Sequence, residues 1–208
     1  MKVAIVGTGN MATGLSEVLA SAGHQVVIGS RDEQKAQALA AKVGHNATAT
    51  SIATAAQSSE VVVLAVPYGA LKDTADAAGK LAGKVVIDIS NPITADYKDL
   101  VVGHTTSAAE ELQNHAPHAK VVKAFNTVFA QLLSREARKG KPLQTYVAGN
   151  DADAKKLVST LVESVGFEAV ESGPLSNSRF IEPIGEMNIH FGFFLGQGTS
   201  VAPAWVTF

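Results

Sequence analysis

The chain has 208 residues, 46% of them hydrophobic and 17% charged, with 17 Lys+Arg against 19 Asp+Glu and no cysteine. At about 150 residues per domain this predicts a single compact unit with enough apolar surface for a core. The near-neutral charge and missing thiols exclude a polybasic nucleic-acid or membrane binder, a disulfide framework, a thiolate metal site and a Cys nucleophile.

The N-terminus, MKVAIVGTGN, enters a strand at Lys2–Val6 with no signal-peptide pattern, and the longest aliphatic run, Val61–Val66, is too short to span a bilayer. The expected setting is the cytoplasm, with no nucleic-acid or membrane partner. Asn10–Ala22 puts Met11, Leu15, Val18 and Leu19 on one helical face. Gln25–Gly29 reads as the second strand. Asp32 is placed to cap a helix whose stripe is Ala36, Leu39, Ala40 and Val43. A small polar stretch follows, and then the buried strand Glu60–Val66, ended by Pro67. Gly69–Leu81 reads as a helix, Lys84–Ile89 as a strand, and residues 93–106 as a loop. Ser107 and Glu110 form a capping box for a helix over Thr106–His115. Lys120–Phe125, Gln144–Ala148 and Phe167–Glu171 read as strands. Helices are expected over Val128–Lys139, after Asp151, and in the tail 176–198, where Pro183 is expected to kink the helix or mark its start.

Strands without polar alternation, separated by helices, predict an α/β fold: a Rossmann-type, doubly wound, mainly parallel sheet. Its core is expected over about residues 1–127 and a small C-terminal strand/helix extension over 128–208.

The sharpest chemical signal is Gly7-Thr8-Gly9-Asn10-Met11-Ala12, a GxGxxA turn between the first strand and the first helix. Gly7 permits the tight turn, Gly9 lets the backbone approach a pyrophosphate, and Ala12 lets helix and strand pack closely. The free N–H groups of the helix start then face the phosphates. NAD sites usually carry an acid at the end of the second strand; here the tip reads Gly29-Ser30-Arg31, with Lys35 a turn later. Ser30, Arg31 and Lys35 suit a ribose 2′-phosphate, so NADP(H) is the expected cofactor. Three other strand tips, Ala65-Val66-Pro67-Tyr68, Ser90-Asn91-Pro92 and Phe125-Asn126-Thr127, are expected to line the same crevice. Asn126 and Thr127 are candidate hydrogen-bonders to a carboxamide or an acceptor. No HExxH motif, metal-ligand spacing, nucleophile elbow or His–carboxylate pair is present, so no metal and no catalytic side chain is assigned. Hydride exchange between two rings fits that pattern, because it asks for positioning more than for an acid.

The runs VAIVGTGNMATGLSEVLASAGHQVVIGSRD, VVVLAVPY, VIDISNPI, VVKAFNT and GPLSNSRFIEP occur here in that order. With them the chain resembles, over nearly its full length, the NADPH-dependent oxidoreductases of the F420-dependent type. At Lys123–Thr127 it is also similar to the reductase domain of the STEAP metalloreductases. The resemblance implies hydride exchange between NADP(H) and a deazaflavin, coenzyme F420, or a flavin. It implies Thr8, Ser30, Arg31 and Lys35 as phosphate binders, and a homodimer packed through the tail helices. The archaeal deazaflavin enzymes carry His where Asn126 aligns. The apolar tail and the lack of a side-chain acid also suit a second reading, an NADP(H) sensor that binds a partner through its C-terminal helix.

Overall fold

A computed structural model describes residues 1–208. The eight strands are β1 (Lys2–Val6), β2 (Gln25–Gly29), β3 (Thr48–Thr50), β4 (Val61–Leu64), β5 (Val85–Asp88), β6 (Lys120–Lys123), β7 (Gln144–Gly149) and β8 (Glu168–Glu171). They form one sheet in the order β3-β2-β1-β4-β5-β6-β7-β8. All neighbours are parallel except β6 and β7, so the last two strands run against the first six. The chain leaves β1 towards one edge and returns at β4 on its other side, which opens a crevice beyond the carboxyl ends of these two strands. The architecture is the doubly wound Rossmann-type α/β fold, as the pattern of apolar runs predicts.

Alternation in β1 shows why both faces need helices. Val3 and Ile5 join a core with Leu15 and Leu19 of α1 (Asn10–Ser21), Leu39 and Val43 of α2 (Glu33–Val43), and Val158 and Leu161 of α6 (Ala152–Ser164). Ala4 and Val6 point the other way, towards Ile52 and Ala55 of α3 (Ile52–Gln57), Leu71 and Ala75 of α4 (Leu71–Ala78), and Leu112 of α5 (Ala108–His115). Strand side chains that are apolar on both faces are buried on both. Asp32, Ser107 and Asp151 each accept a backbone N–H as N-caps of α2, α5 and α6, where the sequence puts them.

Two segments depart from expectation. Val128–Lys139 forms only a short 3-10 turn, Ala130–Leu132. Its side chains are claimed by tertiary partners: Leu133 fills the space beside Gly14 of α1. Arg138 is buried, donates to the Val165 and Lys141 carbonyls and lies 4.1 Å over the Phe167 ring. The loop 93–106 contains a small hairpin, closed by an antiparallel bridge between Ile93 and Leu100, with Tyr97 in the left-handed region at φ 60°. In the tail, α7 (Ser178–Ile189) runs through Pro183, which neither begins nor ends it, and continues as a π-helical turn over His190–Phe194.

Candidate functional site

The GxGxxA turn joins β1 to α1 at the crevice. Gly7 has φ 130°, and its N–H donates to the Gly29 carbonyl at 2.9 Å. A Cβ on Gly7 would collide with the Ala65 carbonyl oxygen, so only glycine fits between the tips of β2 and β4. Gly9 is different: a Cβ there would meet nothing within 4 Å. No packing inside the protein requires a glycine at this position, and the open space lies at the N-terminus of α1. That terminus has no side-chain cap and no acidic residue in its first turn. Its free N–H groups and positive dipole end are suited to an anion. Thr8, Asn10 and Met11 flank this opening, none of them fully buried, whereas Ala12 is fully buried under the helix.

At the tip of β2, Ser30 Oγ accepts the Asp32 N–H at 3.1 Å, which leaves its own hydrogen free to donate. Asp32 accepts the Lys35 N–H at 3.1 Å and pairs with Lys35 Nζ at 3.3 Å. The Lys35 backbone N–H is the main reason its carboxyl lies below the ordinary range. Asp32 is thereby turned back into its helix. Arg31 is exposed.

Beyond β4, Ala65, Val66 and Tyr68 are half-buried and Pro67 is exposed. Tyr68 donates its hydroxyl to Glu111 Oε2 at 3.0 Å, and its pKa is pushed up to about 12, by burial first and by Glu111 second. It therefore stays protonated and tied to α5.

The tips of β5 and β6 meet through two amides. Asn91 Nδ2 donates to the Asn126 carbonyl at 2.8 Å, and Asn126 Nδ2 donates to Asn91 Oδ1 at 2.8 Å and to the Ile181 carbonyl at 3.2 Å. Phe125 makes the turn possible by adopting φ 61° while its ring packs edge-on against Phe167. Asn126 Oδ1 and Thr127 Oγ1 are buried without a partner. Next to them opens a cavity of about 520 Å³ that reaches Asn10 and Met11 on one side and Tyr97, Phe193 and Phe194 on the other. The hairpin and the tail hold its outer rim: His190 Nε2 donates to the Tyr97 carbonyl at 2.7 Å, and the Phe193 ring packs edge-on against Phe129. Gly192, whose bare side could have let another helix approach, abuts Phe129 of the same chain.

Sequence reasoning missed the charges beneath this cavity. Lys123 is fully buried and donates to Asp88 Oδ2 at 2.6 Å and to the Ser90 carbonyl at 2.8 Å, and it pairs with Glu182 Oε1 at 2.7 Å. Glu182 also accepts the Ala108 and Ala109 N–H groups at the start of α5. Burial raises its carboxyl above the ordinary value, and Lys123 and Ala108 oppose that rise. One turn on, Glu186 is buried with both oxygens unpartnered, its pKa pushed up to about 8 by burial first and by the Glu182 charge second. The signal was present: Asp88 and Lys123 interrupt otherwise apolar strands, and Glu182 and Glu186 share a face of an apolar helix.

Known proteins bear directly on this arrangement. Residues 2–92 match the family described as NADP oxidoreductase, coenzyme F420-dependent. The F420-dependent NADP reductase of Methanothermobacter thermautotrophicus is 35% identical over 201 residues, covering 88% of this chain and 86% of that protein. Metalloreductase STEAP3 of Rattus norvegicus is 34% identical over 186 residues, and this chain spans only 36% of its length. A crystal structure of an Arthrobacter sp. FB24 protein, provisionally described as an F420-dependent NADP reductase, superposes with a TM-score of 0.85 at 32% identity, covering 94% of this chain and 95% of that one. No helix here is long and apolar enough to cross a membrane. The chain is an NADP-dependent oxidoreductase and belongs to the F420-dependent NADP oxidoreductase family.

Proposed function

We propose that the protein transfers hydride between NADP(H), held along the crevice, and a deazaflavin or flavin ring held in the cavity beside Asn126. The observation that carries the reading is the uncapped α1 N-terminus beside the open face of Gly9. It fits a pyrophosphate, with Gly7, Thr8, Gly9, Asn10 and Met11 around it. Ser30 donates to the 2′-phosphate, and Arg31 and Lys35 neutralise it. Ala65, Val66, Pro67 and Tyr68 wall the middle of the dinucleotide, and Asn91, Asn126 and Thr127 meet its nicotinamide end or the acceptor. NADP(H) supplies the hydride chemistry when bound. The chain's own contribution is to hold two rings face to face, dry and in register, between the amide pair and the apolar wall.

The partner in assembly is a second copy of this chain. Phe180, Met187, Phe193, Phe194 and Leu195 leave large apolar side chains exposed along α7 and the turn after it, more than an isolated helix face normally shows to water.

The deciding experiment follows NADPH oxidation with F420, FMN, FAD and riboflavin offered in turn. Turnover with at least one supports the assignment. NADPH binding without turnover on any of them would favour a sensor.

A further inference from the structure

Helix α7 buries a carboxyl that no group of the protein satisfies. Glu186 is 4% exposed, and both of its oxygens are shielded from solvent and lack a hydrogen-bond partner. Its helix neighbours Gly185, Asn188 and Ile189 line the cavity, whereas Glu186 itself does not. The stretch is held in place: Gly185 abuts the Asn91 amide, and Asn188 donates to the Thr127 carbonyl at 3.2 Å.

The groups that face Glu186 leave it an excess of negative charge. Glu182 stands one turn back on α7, Lys123 on β6 and Asp99 on the hairpin after β5. Lys123 is already engaged by Asp88 and Glu182 at 2.6 and 2.7 Å. His190, one turn on, is spent on the Tyr97 carbonyl. A buried carboxylate without a donor is disfavoured in such surroundings, so the group is held as the neutral acid. Burial first and the Glu182 charge second push its pKa up to about 8. Near neutral pH, one added positive charge is enough to release that proton.

Hydride loss creates such a charge. The dihydronicotinamide ring is neutral, and the oxidised ring is a cation. With the nicotinamide end at Asn91 and Asn126, the charge arises on the cavity side of Gly185, one residue from Glu186. At roughly 10 Å and an effective dielectric of about 20, it weakens the hold on the proton by about tenfold or slightly more.

We infer that Glu186 is a redox-coupled proton site that discriminates the two forms of the cofactor: it keeps its proton beside the reduced nicotinamide and releases it to solvent when the oxidised ring binds. The carboxylate left behind then balances the ring's charge across the Gly185 wall. Glu186 touches neither ring and acts through its field, so it is a positioning residue. By linkage, ionisation of Glu186 makes the affinity for NADP+ rise with pH and leaves the affinity for NADPH unchanged. The 2′-phosphate, common to both forms, cancels from the comparison. The inference rests on the nucleotide placement proposed above.

The experiment is isothermal titration of the full-length protein with NADP+ and with NADPH, from pH 6 to 9.5, in buffers of different ionisation heat. The NADP+/NADPH affinity ratio should rise by about tenfold across this range. Near the midpoint NADP+ should release roughly half a proton more than NADPH. In Glu186→Gln the ratio should be flat and the extra proton absent. Asp99→Asn removes one facing carboxylate and keeps the acceptor for the Leu100 N–H. It should move the rise to lower pH without changing its height. Equal pH profiles for the two nucleotides, a rise that survives in Glu186→Gln, or a rise unmoved in Asp99→Asn would overturn the inference and leave the hydride-transfer reading standing. The expected linkage together with no turnover on any acceptor would do the reverse. Binding of neither nucleotide would remove both.

Discussion

Asn91 and Asn126 exchange hydrogen bonds of 2.8 Å in both directions, and this exchange ties the tip of β5 to the tip of β6. Helix α7 lies directly on the pair at Gly185. A Cβ at Gly185 would sit 2.7 Å from Asn91 Nδ2 and Oδ1 and 2.8 Å from the Asn126 carbonyl oxygen. Neither the helix nor the amides can shift freely. Gly185→Ala should therefore cost about 1–3 kcal/mol of stability by overpacking. It should also lower kcat by tenfold or more while changing NADPH affinity by less than about threefold. Chemical denaturation and single-turnover kinetics check both parts; a weakened NADPH complex with normal kcat would separate the amide pair from the reacting end of the site.

The β2 tip makes a prediction about cofactor choice. Arg31 is exposed, whereas Lys35 is already paired with Asp32. Arg31→Ala should raise the NADPH dissociation constant by about tenfold, equivalent to about 1.4 kcal/mol. Lys35→Ala should have a smaller effect, and NADH binding should hardly change in either. Isothermal titration with both nucleotides checks this, and an equal loss for NADH would mean that the 2′-phosphate lies elsewhere.

Lys123 is the shared partner of Asp88 and Glu182, and all three are buried. Removing one partner of a buried ion pair leaves an uncompensated charge, at a cost of about 3–5 kcal/mol. Lys123→Met should be destabilised by that order. Adding Asp88→Asn and Glu182→Gln to Lys123→Met should recover most of the loss, because no charge then remains without a partner. Urea unfolding of the single and triple variants measures this. Failure of the triple variant to recover would assign the cost to lost hydrogen bonds to Ser90 and Ala108.

The sequence made the centre of the sheet legible because β1, β2, β4 and β5 are apolar runs closed by Gly, Pro or Asn, and the caps legible because a carboxylate or hydroxyl stands three residues before its N–H partner. It made the glycine turn legible because that turn has one physical solution. Residues 128–139 were misread because Arg138 and Leu133 spend their side chains on α6 and α1, and no local pattern announces a tertiary partner. The buried charges escaped for a related reason: Lys123 and Glu182 are 59 positions apart in the numbering and pair only once α7 folds back over the strand tips. Tyr68 also bonds Glu111, which stands on a helix 43 residues further on, a partner that no local pattern announces.

The exposed side chains of α7 test the assembly. If a second copy covers them, Phe180→Glu combined with Met187→Glu should convert a dimer into a monomer, with like charges now placed on both sides of the contact. Sedimentation velocity reads this directly. A wild-type protein that sediments as a monomer at micromolar concentration, or a variant that remains dimeric, would remove α7 from the interface.

Glu186 adds a pH dependence of its own to the stability. Its carboxyl is buried with no hydrogen-bond partner, and Glu182 and Asp99 repel its charge while Lys123 attracts it. The folded pKa of about 8 lies above the value of 4.5 expected when the chain is unfolded. The folded state therefore holds a proton that the unfolded state releases as pH rises above 4.5. The stability linked to that proton is fully present below 4.5 and falls as pH climbs towards 8. Beyond 8 both states are ionised and no further loss accrues from this group. Glu186→Gln keeps the shape, removes the titration and should flatten this part of the profile. At pH 9 the variant should melt at least about 2 °C above the wild type, while at pH 5 the two should be close. Thermal melts across that range measure the difference, and parallel profiles for the two proteins would show that Glu186 is already ionised in the fold at neutral pH.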